Sequence, residues 1–80
     1  MTIKQREEIG ELLTSKREEK HVSIRRISLD TKISPLSINN ALKPNGANVS
    51  VLILMKLAKY LEVYDEVMEI LENGTSSNEL

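Results

Sequence analysis

Apolar residues recur along this chain with the period of an α-helix, and the strict alternation typical of a β-strand is nearly absent. The first helix is predicted to begin after Thr2, whose hydroxyl can form a capping box with Gln5, and to end near Lys20. Its core-facing stripe has the i, i+3, i+4 spacing of one helix face and comprises Ile9, Leu12 and Leu13.

Two short helices are predicted next, each preceded by a serine that can cap it. Ser23 caps the second helix, which ends near Thr31. Ser34 caps the third, helix 35–43, in which Pro35 takes the first helical position, where its missing N–H costs nothing. The residues predicted to face the core are Ile24, Ile27 and Ser28 in the second helix and Ile38, Ala41 and Leu42 in the third.

The second half of the chain predicts a turn at residues 43–46 and two further helices. Ser50 caps a fourth helix that is apolar nearly all round, as in the centre of a small bundle; its apolar residues are Leu52, Leu54, Met55, Leu57, Ala58 and Leu61. A fifth helix is predicted from Asp65 to Leu71, with Gly74 as its C-terminal cap. Its apolar residues are Val67, Met68, Ile70 and Leu71.

These elements predict an all-α, compact five-helix domain over residues 1–73, followed by a disordered tail at residues 74–80. The chain has no cysteine, which excludes disulfides and thiolate metal sites. The longest apolar run, residues 51–55, is far shorter than the roughly 20 residues of a membrane span, and the amino terminus has no signal-peptide core. We therefore expect a cytoplasmic protein that does not bind membranes.

Charge is distributed unevenly, although the net charge is only −1. Residues 1–61 hold all 11 lysines and arginines and six acids, a balance of +5, whereas residues 62–80 hold six acids and no base, a balance of −6. Between residues 20 and 43, five basic residues accompany a single acid, Asp30. Such segregation is weak support for an anionic partner, because charge runs are more often solvated faces.

No set of residues forms a catalytic or metal-binding pattern. The single histidine, His21, has no predicted partner and is interpreted as a surface residue at a helix end, where a cation suits the helix dipole. The acids of residues 62–72 have helix-surface spacing and no basic counterpart, so we expect them to be solvated. We expect no enzyme activity, no cofactor, no metal and no small-molecule ligand.

Two short helices joined by a three-residue turn, the second opened by Ser-Pro, form a helix-turn-helix pattern. The segment VSIRRISLDTKISPLSINNALK resembles the helix-turn-helix of bacterial repressors, and its ISP.SI...L portion is close to the lac-repressor type. The segments IGELLTSKREEKHVS before it and LILMKLAKYLEV after it resemble the lambda-repressor/Cro, or XRE, family. The resemblance covers roughly residues 8–71. It implies a lambda-repressor-like fold with the helix-turn-helix in helices 2 and 3, and a transcriptional regulator that binds double-stranded DNA as a homodimer.

The third helix carries groups that suit the edges of DNA bases. A major groove about 12 Å wide takes one helix, whose apolar stripe holds it on the bundle while its other face meets the bases. Leu36 can meet a thymine methyl, Ser37 can donate or accept, and Asn40 can bond an adenine edge with two hydrogen bonds. The resemblance implies that Pro35, Leu36, Ser37 and Asn40 take the family's base-contacting positions.

A second set of residues is predicted to contact DNA phosphates, which set affinity and register. The basic members of this set are Arg25, Arg26, Lys32 and Lys43. The resemblance implies that the backbone near Ser23 and Ile24 also meets a phosphate. Arg17 is included because Leu42 replaces the acid that pairs with this arginine in the family, and Asn39 completes the set.

The chain departs from the family's pattern at three further positions. Ser28 stands where the family usually has alanine and can bond back to a helical carbonyl. Lys32 replaces the glycine of the turn, where a left-handed conformation costs on the order of 1 kcal/mol. Ile24 replaces a glutamine that braces the reading helix in many members. These changes bear on the detailed docking more than on the fold.

Simpler interpretations stay open for the same residues. Leu36 can be an isolated exposed leucine, and one of Arg25 and Arg26 can be merely solvated. Asn39 and Asn40 can be ordinary helix surface, although two adjacent poor helix formers favour a role other than stability, more so for Asn40. In the fifth helix at least half of the apolar residues are core, and the others can form a homodimer seam.

A different class of function also fits the sequence: a protein-interaction module on the same fold, antitoxin-like or anti-repressor-like, that does not bind DNA. The acidic net charge, the acidic fifth helix and Leu36 favour it. Salt dependence separates the two classes, because DNA binding weakens steeply as phosphate contacts release counterions.

Overall fold

The structure is a computed structural model that describes the backbone of residues 1–43 and 49–79 and the side chains of residues 1–43 and 49–73. Within these residues the chain forms five helices and no strand: α1 Ile3–Lys20, α2 Ile24–Thr31, α3 Pro35–Leu42, α4 Val51–Tyr60 and α5 Tyr64–Glu79. The prediction of an all-α domain with five helices is confirmed. From Pro44 onward, the predicted turn at residues 43–46 lies outside the described residues.

The first four helices begin where the sequence predicts, because each is preceded by a hydroxyl cap. Thr2 and Gln5 form both hydrogen bonds of a capping box at α1. Ser23, Ser34 and Ser50 each accept a hydrogen bond from the backbone N–H three residues later, at the starts of α2, α3 and α4. Such caps satisfy donors that have no partner inside a helix, and each typically contributes about 1 kcal/mol.

The core is built around α4, which contacts each of the other four helices. The buried apolar side chains are Ile9, Leu13, Ile27, Ile33, Ile38, Ala41, Leu42, Leu54, Leu57, Ala58, Leu61, Val63 and Val67, while Leu12 and Ile24 are partly buried. The apolar pattern of α4 overstates its burial at the first turn, where Val51 and Leu52 are 42 % and 61 % exposed.

The last helix, α5, packs against α1 and α4. The buried Gln5 side chain ties it to α1 by donating to the carbonyls of Ile70 and Leu71, at 3.0 and 3.3 Å. The sequence predicts a cap at Gly74 and disorder after it, whereas the helical backbone continues to Glu79, so the predicted cap is wrong. A helix that has formed gains one hydrogen bond for each residue added, which favours this continuation. The domain limit at residue 73 stays a prediction.

Candidate functional site

The helices α2 and α3 pack against each other, and hydrogen bonds close the turn between them. Lys32 has the left-handed backbone that the sequence predicts, with φ 65°, and its N–H donates to the carbonyl of Ser28 at 2.9 Å. The Ser28 hydroxyl donates to the carbonyl of Ile33 at 2.7 Å, so the prediction that it bonds back to a helical carbonyl is wrong. The turn carbonyl has no helical partner and is the better acceptor. The Thr31 hydroxyl donates to the carbonyl of Ile27 and accepts from the N–H of Ile33, at 2.7 and 3.3 Å.

The outward face of α3, defined by Pro35, Leu36, Ser37 and Asn40, is uncharged and open to solvent. Leu36 is 70 % exposed, Pro35 is exposed, and Ser37 and Asn40 are half-buried. Ser34 accepts from the N–H of Ser37 at 3.2 Å and donates its hydroxyl to that of Ser37 at 2.9 Å. This arrangement leaves the Ser37 hydroxyl hydrogen free to donate to a ligand. The structure therefore brings the four predicted base-contacting residues together on the solvent side of one helix.

Exposed basic side chains lie on α2 and directly after α2 and α3. Arg25, Lys32 and Lys43 are exposed, and none of them forms an ion pair within the described part of the chain. Arg26 is 68 % exposed, but its Nε lies 3.1 Å from Oδ2 of Asp30, one turn further along α2. An exposed pair of this kind is worth about 0.3–0.5 kcal/mol, so Arg26 can leave it for a stronger anionic ligand at little cost.

Asp30 also joins α2 to α4, because the phenol of Tyr60 donates to the same carboxylate oxygen that receives Arg26. This hydrogen bond is the main reason why the pKa of Tyr60 is raised above its ordinary value. The only acid between residues 20 and 43 is thus engaged by two donors of the protein itself, which reduces its repulsion of an anion near α2.

The amino terminus of α2 presents backbone donors that have no partner within the helix. The first backbone hydrogen bond of α2 runs from the N–H of Ile27 to the carbonyl of Ser23, at 3.1 Å. The N–H groups of Ile24 and Arg25 precede that bond, and the helix dipole makes such an end suited to an anion. The predicted phosphate contact near Ser23 and Ile24 therefore falls on backbone with the appropriate chemistry.

Two further residues of the predicted phosphate-contacting set are Arg17, which is engaged within the protein, and Asn39, whose burial is similar to that of Asn40. The Nη1 of Arg17 donates to the carbonyl of Val22 at 2.9 Å, and its Nε is buried with no hydrogen-bond partner among the described residues. As the sequence predicts, no acid pairs with Arg17 among the described residues, and a loop carbonyl accepts from its guanidinium instead. Its guanidinium supports the loop before Ser23, and a phosphate contact by Arg17 stays a prediction. Asn39 is half-buried on α3.

Sequence reasoning missed two contacts that hold α3 and one exposed leucine on α2. Nη2 of Arg6 donates to the carbonyl of Asn40 at 2.7 Å, and the Thr14 hydroxyl donates to the carbonyl of Leu42 at 2.6 Å. No local pattern indicates these bonds, since the acceptors lie 34 and 28 residues further along the chain. Leu29 is 61 % exposed, and its helical spacing from the buried Ile27 is a signal that could have found it.

Among the described residues, no group of histidine, cysteine, aspartate or glutamate side chains could hold a metal ion. None of the helices within those residues is both long and apolar enough to cross a membrane. No protein-family model matches this chain, and neither a curated protein nor a solved structure matches it.

Proposed function

We propose that this protein binds double-stranded DNA sequence-specifically, as a small transcriptional regulator of the lambda-repressor-like, or XRE, type. Its helix-turn-helix is α2 and α3, and α3 enters the major groove. The observation that carries the proposal is the outward face of α3, which is exposed, uncharged and equipped with a leucine, a serine and an asparagine. A face covered with glutamate would be repelled by phosphates, and one covered with lysine would bind DNA without distinguishing sequences.

The contacts to DNA fall into two kinds in this proposal. Three side chains meet base edges: Leu36 contacts a thymine methyl, Ser37 a single donor or acceptor, and Asn40 an adenine edge. Phosphates are met by the exposed basic side chains on α2 and directly after α2 and α3. These are Arg25, Arg26, Lys32 and Lys43. Four phosphate contacts give a slope of about −4 for the logarithm of the binding constant against the logarithm of salt concentration, per subunit.

Binding as a homodimer to a pseudo-palindromic site belongs to the same proposal. A single DNA-binding module of this size buries roughly 600–1,000 Å² of protein surface on DNA, which limits its affinity and the length of sequence that it reads. Two copies related by a two-fold axis double the surface buried on DNA and the length of sequence that is read, and the spacing of the half-sites follows the helical turn of DNA.

A second candidate function is a module that binds another protein. It is favoured by the exposure of Leu29, at 61 %, because this leucine lies on α2, outside the helix proposed to enter the groove, and has no role in DNA binding there. Leu36, at 70 % exposed, can meet either a thymine methyl or a protein surface. The surplus of acids after residue 61 favours it as well.

Selection of bound sequences from random duplexes tests the proposal. We expect enrichment of a motif with two related half-sites, and an affinity for that motif that falls steeply between low and moderate salt. The matched variant is Asn40→Asp, which keeps the shape of the side chain but loses the amide donor and adds a negative charge to the outward face, so it should weaken binding and lose the preference for adenine at one base pair. If the unmodified protein enriches no motif and shows no salt-sensitive DNA binding at low salt, the proposal fails and the protein-binding module becomes the better interpretation.

A further inference from the structure

Two side chains of α1 hold the carboxyl end of α3. Arg6 donates to the carbonyl of Asn40 at 2.7 Å, and Thr14 donates to the carbonyl of Leu42 at 2.6 Å. Both acceptors belong to the last turn of α3, whose carbonyls have no partner inside the helix. In this fold two of those carbonyls, of Asn40 and Leu42, accept from side chains of a neighbouring helix.

The two donors approach from different points along α1. Arg6 and Thr14 are eight residues apart, and a helix rises about 1.5 Å per residue, so their backbones are about 12 Å apart. Gly10 lies midway between them at i, i+4, i+8 spacing, on the same side of α1, and it is buried. Since both acceptors lie in one turn of α3, this end of α3 is held between two anchors and cannot pivot about either of them alone.

The placement of Arg6 is not explained by a gain in stability. Its Nη1 is buried and has no hydrogen-bond partner among the described residues, and burial lowers the pKa of its guanidinium. A part-buried cation that is incompletely paired adds little net stability, and an apolar side chain of similar size often does as well. Its directional bond to the Asn40 carbonyl is what an apolar side chain could not replace.

Asn40 is the residue where this bond meets the outward face of α3. Its main-chain carbonyl is held by Arg6, while its half-buried side chain belongs to the predicted base-contacting set. An asparagine that reads adenine needs two hydrogen bonds in good geometry at once, and such bonds weaken steeply when they are misaligned. A small shift of the last turn of α3 therefore weakens base discrimination while leaving phosphate contacts on α2 in place.

From these contacts we infer that Arg6, supported by Thr14, is a positioning residue that sets the sequence selectivity of α3. It touches no DNA itself and acts through the backbone of Asn40. This inference rests on the proposed function, since selectivity has meaning only if α3 reads base pairs.

The test compares Arg6→Met with Lys4→Met, which removes the same charge from an exposed position of the same helix. Affinities are measured for the selected duplex and for random duplex, and the orientation of α3 relative to α1 is measured by residual dipolar couplings. We expect the ratio of the two affinities to fall at least tenfold in Arg6→Met and to stay unchanged in Lys4→Met. Arg6→Lys should recover part of the ratio, because an ammonium group can still donate one bond to the carbonyl.

Thr14→Val keeps the volume of the side chain, removes only the hydroxyl, and serves as the second variant if Arg6→Met does not fold. It should lower the ratio in the same direction and change the couplings of α3. A folded Arg6→Met or Thr14→Val protein with the ratio and couplings of Lys4→Met overturns the inference, and so does an equal loss of affinity for both duplexes. If the unmodified protein prefers no sequence, the proposed function fails together with the selectivity role. Altered couplings in Arg6→Met would still show that Arg6 orients α3.

Discussion

The helices α2 and α3 are alike in length and in how they begin, yet their solvent sides differ. Each has eight residues and starts after a serine cap. On the solvent side of α2 stand Arg25, Arg26 and Asp30, whereas the solvent side of α3 carries no charge. Helix propensity does not account for this, because arginine and lysine form helices better than asparagine and serine do. The proposed function accounts for the difference, because it has α2 meet phosphates and α3 meet base edges.

The two helices are also anchored by different kinds of contact. On α2, Asp30 bonds to Tyr60 of α4 at an exposed site. On α3, main-chain carbonyls are held by Arg6 and Thr14 at part-buried sites. Exposed polar contacts tolerate adjustment, while part-buried bonds to the backbone fix position more tightly. Under the proposed function, α2 supplies the electrostatic attraction to DNA and α3 supplies the discrimination between DNA sequences.

The largest expected effect separates the two sides of α3. Ile38 is fully buried, so Ile38→Ala should lower the free energy of unfolding by about 2–5 kcal/mol, enough to unfold much of a domain of this size. Leu36→Ala, on the outward face, should change it by less than about 0.5 kcal/mol. Urea denaturation followed by circular dichroism measures both. Similar losses in the two variants would mean that the outward face is a structural surface rather than a free one.

The starts of α2, α3 and α4 could be predicted because a cap is a local feature. A serine directly before a run of residues with helical periodicity can be seen in the sequence. Ser23, Ser34 and Ser50 each form the expected bond with the backbone N–H three residues later. The left-handed backbone at Lys32 was predicted from the resemblance, in which a glycine occupies this position of the turn. The burial of Ile38 follows from the period of the helix.

Contacts between distant side chains and main-chain carbonyls could not be predicted. Any carbonyl can accept a hydrogen bond, so the sequence does not show that Arg6 and Thr14 reach α3 or that Ser28 bonds forward to Ile33. Arg17 shows the same limit, because the loss of a familiar acidic partner does not reveal the backbone carbonyl that replaces it. For the outward face of α3, the sequence indicated which residues are exposed but not how its last turn is held.

The next largest effect tests the electrostatic role assigned to α2. Replacing both arginines, Arg25→Gln with Arg26→Gln, should weaken binding to the selected and to the random duplex by equal factors. Two charge-assisted contacts are worth about 3 kcal/mol together, and the salt slope should fall by about 2. Lys4→Gln with Lys56→Gln is the control, as it removes the same charge from exposed positions outside the predicted site. A loss confined to the selected duplex would contradict the division between the helices.

A smaller effect tests the discriminating role assigned to α3. Asn40→Ala should cost about 1–3 kcal/mol on the selected duplex and relax the preference at one base pair, with random duplex bound as before. Stability should be maintained, because alanine is the better helix former. The adjacent Asn39→Ala is the matched control and should weaken binding slightly without changing the preferred sequence. Equal losses on both duplexes for Asn40→Ala would show that Asn40 contacts phosphate, and no loss on either would show that it does not contact DNA.

The smallest expected effect concerns the anchor of α2. The hydrogen bond to Asp30 raises the pKa of Tyr60, so the phenol should ionise above the ordinary value of about 10. Because the unfolded chain loses this proton first, the stabilisation from the bond is complete below about pH 10 and is lost as pH rises through the folded pKa.

Tyr64→Phe leaves Tyr60 as the one tyrosine in the chain, so the ultraviolet absorbance of tyrosinate reports it alone. Adding Asp30→Asn should lower its titration midpoint and leave sequence preference on DNA unchanged. A midpoint that does not move would show that the bond is not maintained in solution, whereas a changed preference would show that α2 as well as α3 positions the outward face.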